Sequence, residues 1–114
     1  MNKRDELIAK YIVDLKEKCN IEADVDLLTK VTVGLGPSIY NPDSSTVSSS
    51  DAKEINTVRE KFLIGKLGLE DTQELDRAIE EVIHLYGRTN RSKYRAVVYY
   101  LLVKHFNKES TYSI

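Results

Sequence analysis

The run Ala96-Val-Val-Tyr-Tyr-Leu-Leu-Val103 sets eight apolar or aromatic residues in succession near the end of a 114-residue chain. It lies inside a helical pattern that predicts a helix over Arg91–Phe106. Tyr94, Val97, Val98, Leu101, Leu102 and His105 fall on one wide stripe at i, i+3, i+4, i+7 spacing. Tyr99 and Val103 fall on the far side of the same helix. A helix that is apolar on more than one side needs neighbours on more than one side. The expected fold is therefore all-α, with this C-terminal helix as a central post.

Four further helices are expected to lean on it. Leu7, Ile8, Tyr11, Ile12, Leu15 and Cys19 form one stripe over Lys3–Cys19. Asp24 offers an N-cap for a second helix, buried through Leu27, Leu28, Val31 and Leu35. Thr32 and Val33 weaken its end, and Gly34 with Gly36-Pro37 is read as its stop. A third helix is predicted over Asp51–Leu67, with Asp51 and Glu54 spaced as in a capping box and Gly65 marking a bend or an early end. A fourth spans Asp71–Tyr86, with Leu75, Ala78, Ile79, Val82, Ile83 and Tyr86 inward, and Asn90 then reads as the N-cap of the last helix. Asn107–Ile114 is polar and expected to fray. These five helices give a small array or irregular bundle in a single domain over residues 1–114.

Between the second and third helices lies a long loop, Gly34–Ser50, with both prolines of the chain and six of its serines. A connection this long in a compact domain is functional or disordered more often than not. Ile39 and Tyr40 are the side chains suited to pin it to the helices. Thr46-Val47 is extended in character but too short to predict a sheet.

Composition narrows the chemistry. A net charge of −1 gives no bulk pull toward nucleic acid or membrane. The lone Cys19 supplies neither a disulfide framework nor a thiolate metal site, which fits a cytoplasmic setting. No apolar run is long enough to cross a bilayer. With two histidines and no Cys cluster, no metal or other cofactor is expected. The glycines match neither a dinucleotide-binding fingerprint, since Ile39 stands where a third glycine belongs, nor a P-loop, since Leu67 follows Gly65-Lys66. No serine has an evident base, so no catalytic residue is assigned.

Charge is patterned locally. Glu70, Asp71, Glu74, Asp76, Glu80 and Glu81 oppose Arg77 alone, and the acid-free cations Arg88, Arg91, Lys93 and Arg95 follow. Cations at a helix start oppose the macrodipole and need another partner. That partner is a phosphate-bearing ligand or the acids of the fourth or other helices, unless the cations simply stay solvated.

Three stretches carry a family resemblance: Lys3-Arg-Asp-Glu-Leu-Ile-Ala-Lys-Tyr11, the segment Leu27–Asn41, and Tyr86-Gly-Arg-Thr-Asn-Arg-Ser-Lys-Tyr-Arg-Ala-Val97. Together they resemble DUF2853, a family of small bacterial proteins of unknown function. The resemblance implies a stand-alone bacterial cytosolic protein and carries no activity or site residue with it. The expectation is a non-enzymatic interaction module with a protein partner or a second copy of itself. Its motive is the surplus apolar surface of Tyr99, Tyr100, Val103 and Phe106 together with Ile39 and Tyr40. The alternative is anion or nucleic-acid binding through Arg88, Arg91, Lys93 and Arg95. An enzyme centred on Gly34–Ser50 comes last.

Overall fold

A computed structural model describes residues 2–90 and 92–112. Five α-helices enclose one apolar core, and no strand is present among the described residues. In chain order they are α1 (Lys3–Cys19), α2 (Val25–Leu35), α3 (Ala52–Thr57), α4 (Gln73–Tyr86) and α5 (Arg95–His105). A π-helical segment, Val58–Lys66, continues α3 without a break.

α5 is the post. All nine residues from Arg95 to Val103 are buried, and α1, α2 and α4 pack against it. Tyr99, Tyr100 and Val103 are 7%, 1% and 0% exposed, so the surplus apolar surface of this helix is covered within the chain. Tyr100 also accepts a hydrogen bond from the Asp24 amide at 2.8 Å, which fixes the start of α2 to the middle of α5. The two end positions of the stripe depart: Tyr94 is the half-buried N-cap, and His105 is exposed, with Nδ1 3.6 Å from Glu81.

Local signals account for the first two helices. The Asn2 side chain caps α1 by accepting from Asp5 N at 2.8 Å, and Asn20 closes it in the left-handed conformation. Asp24 caps α2 through Leu27 N. Gly34 is helical rather than a stop. The chain turns at Gly36 (φ 63°, ψ −149°), then makes a 3-10 turn over Gly36–Tyr40. Ile39 is buried there and pins the loop, whereas Tyr40 stays 46% exposed.

One capping box and two helix starts differ from the sequence expectation, each where a long-range partner outcompetes a local cap. Asp51 caps α3 through Lys53 N, but Glu54 turns to Arg95 instead of completing a capping box. Asp71 pairs with Arg59, so α4 begins at Gln73 with Thr72 as an N-cap that makes no side-chain bond. The fifth helix begins at Arg95, after Tyr94, rather than at Arg91 after Asn90. Residues before it are held extended: Val47 N donates to Lys93 O, and Arg95 N to Ser45 O, both at 2.8 Å. The resulting Thr46–Tyr94 bridge staples the Ser-rich loop to the foot of α5.

Gly65 marks neither an end nor a simple bend. It lies inside the π-helical segment, where Leu67 N donates to Phe62 O, five residues back, at 2.9 Å. A Cβ at Gly65 would sit 3.3 Å from Glu60 O, so the missing side chain lets that wider turn close. Phe62 then stacks on Tyr99 with ring centroids 3.8 Å apart. Glu109–Tyr112 forms a further 3-10 turn with Tyr112 half-buried against Gly34, so this part of the tail is packed rather than frayed.

Candidate functional site

The bridge between loop and α5 has a consequence for the surface. Residues 46–50 on one side and 88–90 with Lys93 on the other enclose a cavity of about 640 Å³. Its lining is hydroxyl-rich: Thr46, Ser48, Ser49, Ser50 and Thr89, with Val47 the apolar member. Two cations, Arg88 and Lys93, complete it.

Lys93 is 2% exposed. Its Nζ donates to Arg88 O at 3.1 Å, to Asn90 O, and to Ser49 Oγ at 3.4 Å. None of these acceptors is charged, and among the described residues no carboxylate pairs with it. Burial, and then the Arg88 guanidinium, lower its pKa from the usual 10.5. The ammonium ties together the turn 88–90 and the serine loop while leaving a net positive charge in the cavity wall.

Arg88 is held more loosely. Its Nη2 reaches both oxygens of Glu80, but both side chains are more than half exposed. An exposed pair of this kind contributes about 0–1 kcal/mol, so Arg88 can change partners at little cost. Asn90 accepts from Ser92 N through Oδ1, while its buried Nδ2 has no partner among the described residues.

Of the cations of the sequence cluster, Arg88 and Lys93 line this cavity and Arg95 does not. Arg95 is 8% exposed. It pairs with Glu54 and donates to Ser44 O at 2.8 Å and Thr46 O at 3.3 Å. Arg91 lies outside the described residues. Ile39 and Tyr40 lie away from this cavity as well. Sequence reasoning missed Ser49 as a partner of Lys93, and Ser48 and Ser50 as its neighbours in the cavity lining. The available signal was the coincidence of a Ser-rich loop and an acid-free basic run, but nothing local said that they meet.

The histidines stay apart from this site. His84 lines a shallow surface depression with Glu80, Glu81, Leu85 and Arg88, and His105 faces Glu81. Among the described residues no three His, Cys, Asp or Glu side chains gather in a way that would hold a metal ion. No helix of the described residues is long and apolar enough to cross a membrane.

No curated protein matches the chain. Residues 10–110 match the family described as "Protein of unknown function (DUF2853)". Because that match covers most of the sequence, including every segment that builds the cavity, the chain belongs to the DUF2853 family.

Proposed function

We propose that the protein binds a small anion rich in oxygen atoms, of the phosphate-ester type, in the cavity between residues 46–50 and 88–93. The observation that carries this reading is Lys93, a buried ammonium in the wall of a polar cavity with no carboxylate among the described residues to neutralise it. A buried charge without a counter-ion is costly. An anion entering the cavity would offset that cost, and the loosely paired Arg88 would move from Glu80 to meet it. The hydroxyls of Ser48, Ser49 and Ser50 and the partnerless Asn90 amide would supply uncharged donors.

A concave site of this size favours a small molecule over a nucleic-acid strand, whose phosphates would need a longer basic track. An enzyme of the Ser-His type draws no support from the site, since neither histidine lines it and Lys93 directs its protons at carbonyl oxygens. Self-association draws less support from α5, where Tyr99, Tyr100 and Val103 are covered inside the chain, and what remains for it is the exposed Tyr40 and the half-buried Phe106. The cytoplasmic setting rests on a single, buried, free cysteine.

The test is thermal denaturation at low salt with sulfate, phosphate, pyrophosphate and sugar phosphates. Saturating ligand at about a hundredfold its Kd adds about 2.7 kcal/mol to folding. Arg88→Ala and Ser49→Ala should each reduce the shift. No shift with any phosphate compound, or an equal shift in Arg88→Ala, refutes the reading. A shift with duplex or single-stranded nucleic acid alone would replace it with the nucleic-acid alternative.

A further inference from the structure

The π-helical segment has an effect on charge that no α-helical reading of the same residues would produce. Lys61 and Lys66 are five residues apart. At about 100° per residue an α-helix would set them about 140° apart around its axis. In the segment Val58–Lys66 the hydrogen bonds run between residues five apart, so such residues stack one above the other. Both lysines consequently line the same cavity, of about 200 Å³, with Phe62 of the same segment at its base.

The rest of that cavity is apolar. Val31 and Leu35 of α2 and the Tyr99 ring of α5 form the floor, and Tyr112 closes one side with Lys66 Nζ 5.3 Å from its ring centroid. Among the described residues neither Lys61 nor Lys66 takes part in an ion pair. Two unneutralised ammonium groups at the rim of an apolar cavity match a ligand with one anionic end and one apolar end.

We propose that this cavity is a second ligand site, which binds a small amphipathic carboxylate: one oxygen toward Lys61, one toward Lys66, and a short aliphatic or aromatic body against Phe62 and Tyr99. The volume lies below the ~300–1,000 Å³ of drug-sized pockets, so the body is short. A singly charged carboxylate suits the apolar floor better than a phosphate, whose second charge is more strongly hydrated. The site is separate from the polar cavity at residues 46–50, and its occupancy does not depend on that reading.

The experiment is an amide NMR titration of the whole chain with hexanoate and benzoate, set against acetate and hexanol. The expected result is saturable shifts at Phe62, Lys66, Tyr99 and Tyr112, with acetate and hexanol at least about tenfold weaker. Lys61→Gln/Lys66→Gln, exposed on the surface, should leave the thermal midpoint unchanged and weaken hexanoate by about tenfold or more. Gly34→Leu, which projects a side chain toward Tyr112 from within α2, should block binding without altering either lysine. The proposal is overturned if hexanoate binds no better than acetate, if the double glutamine variant binds hexanoate as the parent does, or if the shifts map elsewhere.

Discussion

Arg95 and Glu54 form an ion pair between the first residue of α5 and the first turn of α3, with 10% and 24% of their side chains exposed. The same guanidinium donates to Ser44 O and to the Tyr99 hydroxyl at 3.0 Å, so one side chain joins the Ser-rich loop, α3 and α5. Glu54→Ala leaves a buried cation with only uncharged acceptors, and it should cost about 2–3 kcal/mol in urea denaturation. A double-mutant cycle with Arg95→Met should return a coupling of at least about 1 kcal/mol. Additive effects would show that the carbonyl contacts, rather than Glu54, hold Arg95.

Tyr86 is the second such tie. Its hydroxyl donates to Asp14 of α1 at 2.5 Å and accepts from Tyr94 N at 3.2 Å. Tyr86→Phe removes one oxygen, strands the Tyr94 amide and leaves Asp14 with only Lys18 at 3.8 Å. The expected loss is about 1–3 kcal/mol, read from the denaturation midpoint. A change within about 0.5 kcal/mol would place this bond among the dispensable surface contacts.

Alkaline stability should fall in a defined range. Burial pushes the Cys19 thiol from 9.0 to about 11 and the Tyr11 and Tyr112 phenols from 10.0 to about 12, and it raises Tyr86 further, with Asp14 adding to it. Each of these groups is held neutral by the fold. The unfolded chain releases their protons at lower pH, so the native state binds more protons and stability drops as pH rises from about 9 toward 12. Lys93 opposes this. Its folded pKa lies below 10.5, so the unfolded chain binds the extra proton, and the contribution of Lys93 rises with pH up to that value. Melting temperature against pH should bend downward above about 9, more steeply in Lys93→Met and less steeply in Tyr112→Phe. A flat profile to pH 12 would contradict the burial of these groups.

Gly34 and Gly36, two positions apart, should respond to alanine with opposite sign. Gly34 is in α2, and a Cβ there meets Tyr112 at an ordinary 3.6 Å, so Gly34→Ala should gain up to about 1 kcal/mol from helix propensity. Gly36 holds φ 63° and ψ −149° with open space around it. Its alanine variant meets no neighbour, yet the backbone itself should cost about 1–3 kcal/mol. Equal effects at the two sites would mean that the turn at Gly36 relaxes freely.

Anion binding at the polar cavity should weaken as Lys93 loses its proton. Sulfate keeps a constant charge through this range, so its affinity reports the protein alone. It should decline as pH rises through the lowered Lys93 value, and the decline should vanish in Lys93→Met, which binds weakly throughout. A pH-independent affinity in the parent would assign any binding to Arg88 without Lys93.

The sequence by itself determined the class of fold. Stripes such as Leu75, Ala78, Ile79, Val82, Ile83 and Tyr86 are local patterns with a helical period, and every one of these residues is buried. The apolar run Ala96–Val103 needed cover on all sides, and the only way to supply it was to surround it. The caps at Asp24 and Asp51 were equally legible, because an N-cap bonds only two or three residues ahead. The tertiary structure decided where charge resides and where cavities open. Arg95 and Lys93 read alike in a basic run, yet one meets Glu54 and the other meets only carbonyls and a serine. Partners that lie 41 and 44 residues away in the chain leave no trace in a local window. The π-turn at Gly65 is of the same kind. Its residues show the apolar spacing of an α-helix, and the stacking of Phe62 on Tyr99, made only once α5 is in place, accompanies the wider winding that brings Lys61 and Lys66 to one cavity. Periodicity reports which face a helix buries; the packing of distant segments sets which charges are neutralised and which are left for a ligand.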